Sequence, residues 1–320
     1  MSAGVNFAVN NAKISQTGDS MFSGLLTPEQ SQDYFALAEK TSIIQQIAQK
    51  IPMGPTGVKI PHWSGNVSAQ WIGEGDMKPI TKGDLTSQTI APSKIATIFV
   101  ASAETVRANP ANYLSTMRTK VATAIALAFD NAIINGTNTP FGAYIAQTTK
   151  SVSLADPLGA SNGVAQGSQA YTALNNSLSL LLGAGKLWNG TLFDNTAEPI
   201  LNNATDAQMR PLFLEATYQD INAPFRSGRV LGRPTYLSDH VASGTTVGYT
   251  GDFSQIVWGQ VGGLSYDVTD QATLNLGTFA SPNFVSLWQH NLVAVRVEAE
   301  YGALVNDKDA FCKLTNVVTP

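Results

Sequence analysis

Ile95-Ala96-Thr97-Ile98-Phe99-Val100 reads as a β-strand, and Ser102-Ala103-Glu104 leads from it to Asn109-Pro110, where the texture changes. From there Leu114, Met117, Val121, Ile125, Ala128 and Ala132 recur at helical spacing until Gly136. Apolar residues three or four apart share one helix face, Pro suits a first turn, and Gly just past the last periodic residue suits a helix end. The spacing predicts a helix over 111–135, roughly 37 Å long at 1.5 Å per residue. A strand feeding so long a helix marks it as the scaffold on which the rest is arranged.

Upstream, Val58-Lys59-Ile60 and Ala69-Gln70-Trp71-Ile72 are β-type runs punctuated by Gly and Pro. Between Gly73 and Ser87 lies a polar tip with Gly73-Glu74-Gly75, Lys78 and Lys82. The stretch predicts a long hairpin with little apolar backing, and a two-stranded ribbon is marginal alone in water. Its support must come from outside, with Trp63 and Trp71 as candidate anchors and Glu74, Lys78 and Lys82 as candidate contacts at its tip. Further upstream, Thr27-Pro28 and Gln30 form a capping box for a helix whose later turns carry Ile44, Ile47, Ala48 and Ile51, with Pro52 as the stop. Residues 1–27 show no period and read as an extended arm that needs a surface to lie on.

Downstream, residues 137–167 are rich in Gly, Ser, Thr and Asn, which places a domain boundary near 150–165. A helix is expected over 168–182, marked by Tyr171, Leu174, Leu178 and Leu181 and ended by Gly183, and another around 206–217. Strands are expected at 229–238, 255–258 and 264–268. Val293, Val295, Val297, Ala299 and Tyr301 then alternate with Arg296, Glu298 and Glu300, the signature of a long strand with one buried face, and a last strand follows at 310–318.

With 320 residues, 43% of them hydrophobic, the chain has the material for about two packed units. Charged residues are only 13%, about half the usual ~25% of soluble domains. Charge is depleted at interface cores because desolvating an unpaired ion is expensive, so this composition points to large-scale oligomerisation. The formal charge of −4 without any basic run disfavours a nucleic-acid reader. Neither a signal peptide nor an apolar membrane span is legible, and Cys312, the single cysteine, reads as a buried inert thiol in the last strand.

The search for chemistry ends without a constellation. His62, His240 and His290 lack metal-ligand spacing, and one Cys cannot complete a zinc site. Gly183-Ala184-Gly185-Lys186 fails as a phosphate loop, because Leu180 stands where the first Gly belongs and Leu187 replaces the hydroxyl that would hold Mg²⁺. Gly159-Ala160-Ser161-Asn162-Gly163 fits Gly-x-Ser-x-Gly, yet Asp156-Pro157 before it and Gly167 after it favour a loop over the strand-turn-helix that a nucleophilic Ser161 requires. No catalytic, cofactor-binding or metal residue is assigned.

Taken in order, several phrases resemble the major capsid proteins of tailed bacteriophages, the Hong Kong 97-like fold. They are Val58-Lys59-Ile60-Pro61 with Ala69-Gln70-Trp71-Ile72-Gly73-Glu74-Gly75, then Ala91-Pro92-Ser93-Lys94-Ile95-Ala96 running into Asn109-Pro110. Asp130-Asn131-Ala132-Ile133-Ile134-Asn135-Gly136, Leu231-Gly232-Arg233-Pro234-Thr235-Tyr236 and Val293-Ala294-Val295-Arg296-Val297-Glu298 complete the set. The resemblance covers about 28–320 and implies an α+β fold. In it 1–27 is the N-terminal arm, 55–93 the extended E-loop hairpin, 151–293 an α/β A-domain, and 28–54, 94–150 and 294–320 a P-domain with the long spine helix.

The function implied is mechanical: a major capsid protein that self-assembles through pentamers and hexamers into the icosahedral head of a tailed double-stranded DNA phage. Its partners would be itself, a separate scaffolding protein, a portal and decoration proteins. The DNA would be enclosed without sequence-specific binding, and the virion shell would be assembled in the host cytoplasm, with no membrane and no cofactor. Two other readings stand beside it, an encapsulin-type nanocompartment shell and a serine hydrolase using Ser161. The family's best-known member also joins a loop Lys to a neighbour's Asn with help from a Glu. Lys78, Lys82, Asn306, Asn316, Glu298 and Glu300 are the corresponding materials here, but a polar turn around Asp307 and Lys308 would keep a lysine protonated, so no crosslink is expected.

Overall fold

In the computed structural model, which describes residues 14–15, 42–63, 69–74, 77–78, 80, 85–108, 113–154, 169–202, 226–238 and 240–316, two sheets are arranged around one long helix. The first part of the chain contains β1 (Ile14–Ser15), α1 (Ile43–Ile47), β2 (Gln49–Pro52), the ribbon strands β3 (Val58–Trp63) and β4 (Leu85–Ile90), β5 (Ser93–Ser102), α2 (Ala103–Ala108) and α3 (Tyr113–Ile134). Then come β6 (Ser151–Ser153), α4 (Gln169–Gly183), β7 (Gly190–Phe193), α5 (Glu198–Asn202), β8 (Arg226–Val230), β9 (Arg233–Leu237) and β10 (Thr246–Gly251). The chain closes with β11 (Ile256–Thr269), β12 (Thr273–Asn275), β13 (Phe284–Ser286), β14 (Leu292–Val305) and β15 (Phe311–Thr315). The α+β class stands.

The first sheet has the order β1-β5-β14-β11-β2, with β14 antiparallel to both neighbours and the two edge strands parallel to theirs. Alternation along β14 works as its sequence implies: Val295, Val297, Ala299 and Tyr301 are buried, while Arg296, Glu298 and Glu300 face the other side. The buried face meets α3 through Val121, Ile125, Phe129 and Ile133. Phe129 is the centre of this contact, with ring centroids 4.9 Å from Tyr301, 6.0 Å from Trp258 and 6.2 Å from Phe141. It takes the place expected of Ala128, which faces out, because the larger ring buries more apolar area.

The second sheet has the order β6-β15-β10-β7-β9-β8. Its central strand β10 is buried at every residue, since both faces are covered. Leu192 and Tyr249 join the core around α3, whereas Phe193 and Val247 meet Ala173, Leu174 and Leu181 of α4. One apolar core therefore runs from the first sheet across α3 into the second.

Several elements differ from their sequence expectations. The helix before Pro52 ends at Ile47, because Ala48 turns extended (φ −92°, ψ 157°) and residues 49–52 gain ladder hydrogen bonds by pairing with 257–260 of β11. The strand expected at 229–238 is a hairpin turned by Leu231 (φ 51°) and Gly232 (φ 75°). Those at 255–258 and 264–268 are one strand with a bulge between Val261 and Ser265, where Gly262 has φ 69°. Sheet membership also departs from the drawn boundaries: β11 pairs with β14 in the first sheet although it falls within 151–293, and β15 lies in the second although it falls within 294–320. Both partners are fixed by pairings between distant segments that periodicity cannot register. The capping box at 27–30, the helix at 206–217 and Ser161 lie outside the described residues.

Candidate assembly surfaces

β3 and β4 pair antiparallel from Val58↔Ile90 to Trp63↔Leu85 and form a two-stranded ribbon of their own. Ile90 is its buried foot, seated near Met53 and Gly302, so close that a side chain at position 302 would collide with both. Gly57 makes the turn below it at φ 80°, under the Ile90 carbonyl, where a β-carbon has no room. Beyond the foot the described strand residues are exposed or half-buried.

Past the strands, apolar side chains stand in solvent. Trp71 is 105%, Ile80 100% and Met77 94% exposed, and Ile72 and Leu85 are exposed too. Burial of a Met or Ile side chain stabilises by roughly 1.5–3 kcal/mol, so each of these forgoes a gain of that size within the subunit. Glu74 and Lys78 are exposed beside them. Trp63 is placed in β3 opposite Leu85, but its side chain lies outside the described residues, as does Lys82.

Two grooves flank the ribbon foot. One, of about 520 Å³, has Phe129, Phe141, Tyr301 and Ile95 in its wall, with Lys94 paired to Glu300 at 3.3 Å beside it. The other, of about 640 Å³, runs between 88–91, 140–143 and 303–309. A second exposed aromatic group, missed in the sequence, is presented around the β12–β13 hairpin by Phe279, Phe284 and Trp288. Asn275 accepts the Gly277 and Asn283 N–H groups at 2.9 and 2.8 Å and ties that loop. Phe279 and Phe284 in a Gly, Ser and Pro-rich stretch were the available signal.

Glu298, Glu300 and Asn306, named for covalent chemistry, each have a partner of their own. Glu298 faces Arg296 at 3.4 Å, Glu300 holds Lys94, and the Asn306 amide donates to the Gln255 side chain at 2.9 Å. The Asn316 N–H donates to the Thr245 carbonyl at 2.9 Å. Lys186 of the rejected phosphate loop pairs with Asp307 at 2.5 Å, and its N–H closes the end of α4 on the Leu181 carbonyl. Partial burial would raise the Asp307 carboxyl, but Lys186, the Asp309 N–H and Lys150 outweigh it and hold the group below the usual carboxylate range. Burial pushes the Cys312 thiol up, which suits an unreactive core residue. His290 bonds the Ser286 carbonyl through Nδ1 at 2.9 Å, and no cluster of three or more potential metal ligands occurs among the described residues. Nor is any helix there long and apolar enough to cross a membrane.

Residues 23–316 match the model of the phage capsid family. The chain is 72% identical over 310 residues to the probable major capsid protein gp17 of Mycobacterium phage L5, covering 97% of this chain and 94% of that protein. It is 68% identical over 319 residues to the protein of the same name in Mycobacterium phage D29, covering 100% and 98%. Among solved structures, one from Mycobacterium phage Bobi superposes with a TM-score of 0.72 at 17% identity, covering 93% of this chain and 97% of that one, so likeness of fold outlasts likeness of sequence. A family match over most of the chain and a core built around one long helix agree, and the chain belongs to the phage capsid family.

Proposed function

We propose that the chain is the shell subunit of a tailed phage head, a major capsid protein whose copies ring into pentamers and hexamers and close into an icosahedral shell around double-stranded DNA. The observation that carries this reading beyond family membership is the ribbon: an extended hairpin with a buried foot, whose described apolar residues toward the tip are exposed, lacks support within its own subunit. Heterologous contacts that close by rotation give rings, and a projecting arm that meets a different surface of the next copy is a contact of that kind. In this reading Trp63, Trp71, Glu74, Lys78 and Lys82 contact neighbouring subunits, residues 1–27 act as an arm and 55–93 as the E-loop. The sheet around α3 acts as the P-domain, and the second sheet gathers at the capsomer centre as the A-domain.

The partners are then other copies of the chain, a separate scaffolding protein, a portal and decoration proteins, and the site is the virion, assembled in the host cytoplasm. DNA is enclosed without sequence-specific contact, in keeping with a net charge of −4. The mechanism is structural and involves no catalytic step. Cryo-electron microscopy of the purified protein or particle tests it. Closed icosahedral shells with each ribbon lying on an adjacent subunit are expected, whereas dispersed monomers under all assembly conditions, or ribbons folded back on their own subunit, would refute the reading.

A further inference from the structure

Asp130 has no part in the assembly surfaces. It lies in α3, is 1% exposed, and faces the root of the leading segment. Its Oδ1 accepts the Ser42 hydroxyl at 2.6 Å and the Ile44 N–H at 3.2 Å, while Oδ2 accepts the Ile43 N–H at 2.8 Å. These donors are consecutive in sequence, at the point where the chain after residue 41 enters the core. α1 has five residues, too few to be stable by itself. It is held by the burial of Ile43 and Ile44, by a bond between Gln45 and the Tyr301 side chain, and by Asp130.

We propose that Asp130 is a clasp that fixes the leading segment to the spine helix and is poised to open, freeing residues 42–48 locally while the rest of the subunit stays folded. The reason is an imbalance. A buried carboxylate without a cation is costly, and among the described residues every donor that compensates it belongs to the segment it holds. Lifting that segment readmits water to the carboxylate, so the buried charge itself favours opening. In a shell, such a clasp would let the arm change its path without unfolding the subunit that carries it.

Among the described residues, charge elsewhere leaves the clasp isolated. α1 carries no titratable side chain, Lys94 of β5 pairs with Glu300, and Glu298 of β14 faces Arg296. Burial pushes the Tyr249 hydroxyl up to about 12 and raises that of Tyr301, so both stay neutral near pH 6. Burial likewise raises the Asp130 carboxyl from 3.8 to about 6, and the bonds from Ser42, Ile43 and Ile44 offset only part of this. The closed state thus binds a proton more readily than the open one. Its advantage is full below 3.8 and is lost as pH rises through about 6. Taking the ordinary value for the open state, the opening constant rises about tenfold from pH 5 to pH 7.

Hydrogen exchange of the Ile43 and Ile44 amides in the unassembled full-length subunit, corrected for intrinsic rates, tests this. Local opening should make both exchange faster than Ile133, with about tenfold more opening at pH 7 than at pH 5, and Asp130→Asn should abolish the pH response. Ser42→Ala removes one donor to the charged form and also the acceptor of the Gln45 N–H at 3.1 Å. The lost cap should raise opening at both pH values, the lost donor should raise it several-fold more at pH 7 than at pH 5, and this difference covers the case in which Asp130→Asn does not fold. Exchange of Ile43 that tracks Ile133 at both pH values would overturn the proposal, as would a tenfold response kept in Asp130→Asn or a Ser42→Ala effect equal at the two pH values. Because no assembled particle is involved, failure here leaves the shell reading untouched.

Discussion

The ribbon and the β14–α3 layer are built from similar ingredients, extended strands with Val, Ile and Trp close by, yet they end in opposite environments. Along β14 Val295, Val297, Ala299 and Tyr301 share a core with α3, and Val297 is fully buried. Along β3 and β4 the described side chains meet little: among them only Ile90 at the foot is buried, and Trp71, Met77 and Ile80 stand in solvent. Apolar side chains alone do not make a core, because they need an opposing layer. The difference separates residues that fold the subunit from residues free to join it to another.

The sharpest way to break this contrast is to charge the layer. Ile125 is 3% exposed among Phe129, Ile133 and the first sheet, so Ile125→Asp leaves an unpaired charge in an apolar site. A loss above about 4 kcal/mol and no cooperative thermal transition are expected by calorimetry. A soluble variant that melts cooperatively would mean that the face is assigned wrongly. Deleting residues 74–86 should do the reverse, keeping a folded subunit with a melting temperature within a few degrees of the parent but forming no shells in electron micrographs. Normal shells from that deletion would contradict the role given to the ribbon.

Trp71→Ser narrows the question to a single anchor. Since the side chain touches little within the subunit, stability should change by no more than about 0.5 kcal/mol while shell yield falls, as light scattering would register. Lys186→Ala should have a smaller effect. The Lys186–Asp307 pair joins the loop after α4 to the turn between β14 and β15, and an ion pair of such exposure contributes below about 1 kcal/mol. The loss, measured by urea unfolding, should shrink further in high salt. The last expectation is no effect at all: particles boiled in detergent and reductant should run as one band near 33.9 kDa, because Glu298 and Asn306 are each engaged by partners of their own. A ladder of multimers would show that a neighbour's Lys78 or Lys82 reaches Asn306 or Asn316 in a dry site after all.

Local patterns carried much of the fold. The helical spacing of Val121, Ile125 and Ala132, the alternation of Val295, Val297 and Ala299 against Arg296 and Glu298, and Gly183 at the end of α4 are each visible within a short window. Each rests on the 3.6- or 2-residue repeat of a single element. Other features had partial signals: Gly232 between two β-type runs suits a turn, although Leu231 at φ 51° is not a usual turn residue, and Gly262-Gly263 marks a bulge inside β11. The exposed ribbon was legible only as absence, a β-type stretch without a period that could back it.

By itself, then, the sequence determined the long helix, the amphipathic last strands, the unsupported ribbon and the poverty of charge, since all of these follow from neighbours along the chain. Only the tertiary structure decided that Gln49–Pro52 leaves its helix to pair with β11, and that β15 crosses to the second sheet. It alone set Phe129 at the centre of the core and put Asp130 against Ser42, 88 residues away. Such partners are chosen by the burial of apolar area and the satisfaction of backbone and carboxylate groups across long loops, and these balances exist only once the layers have met.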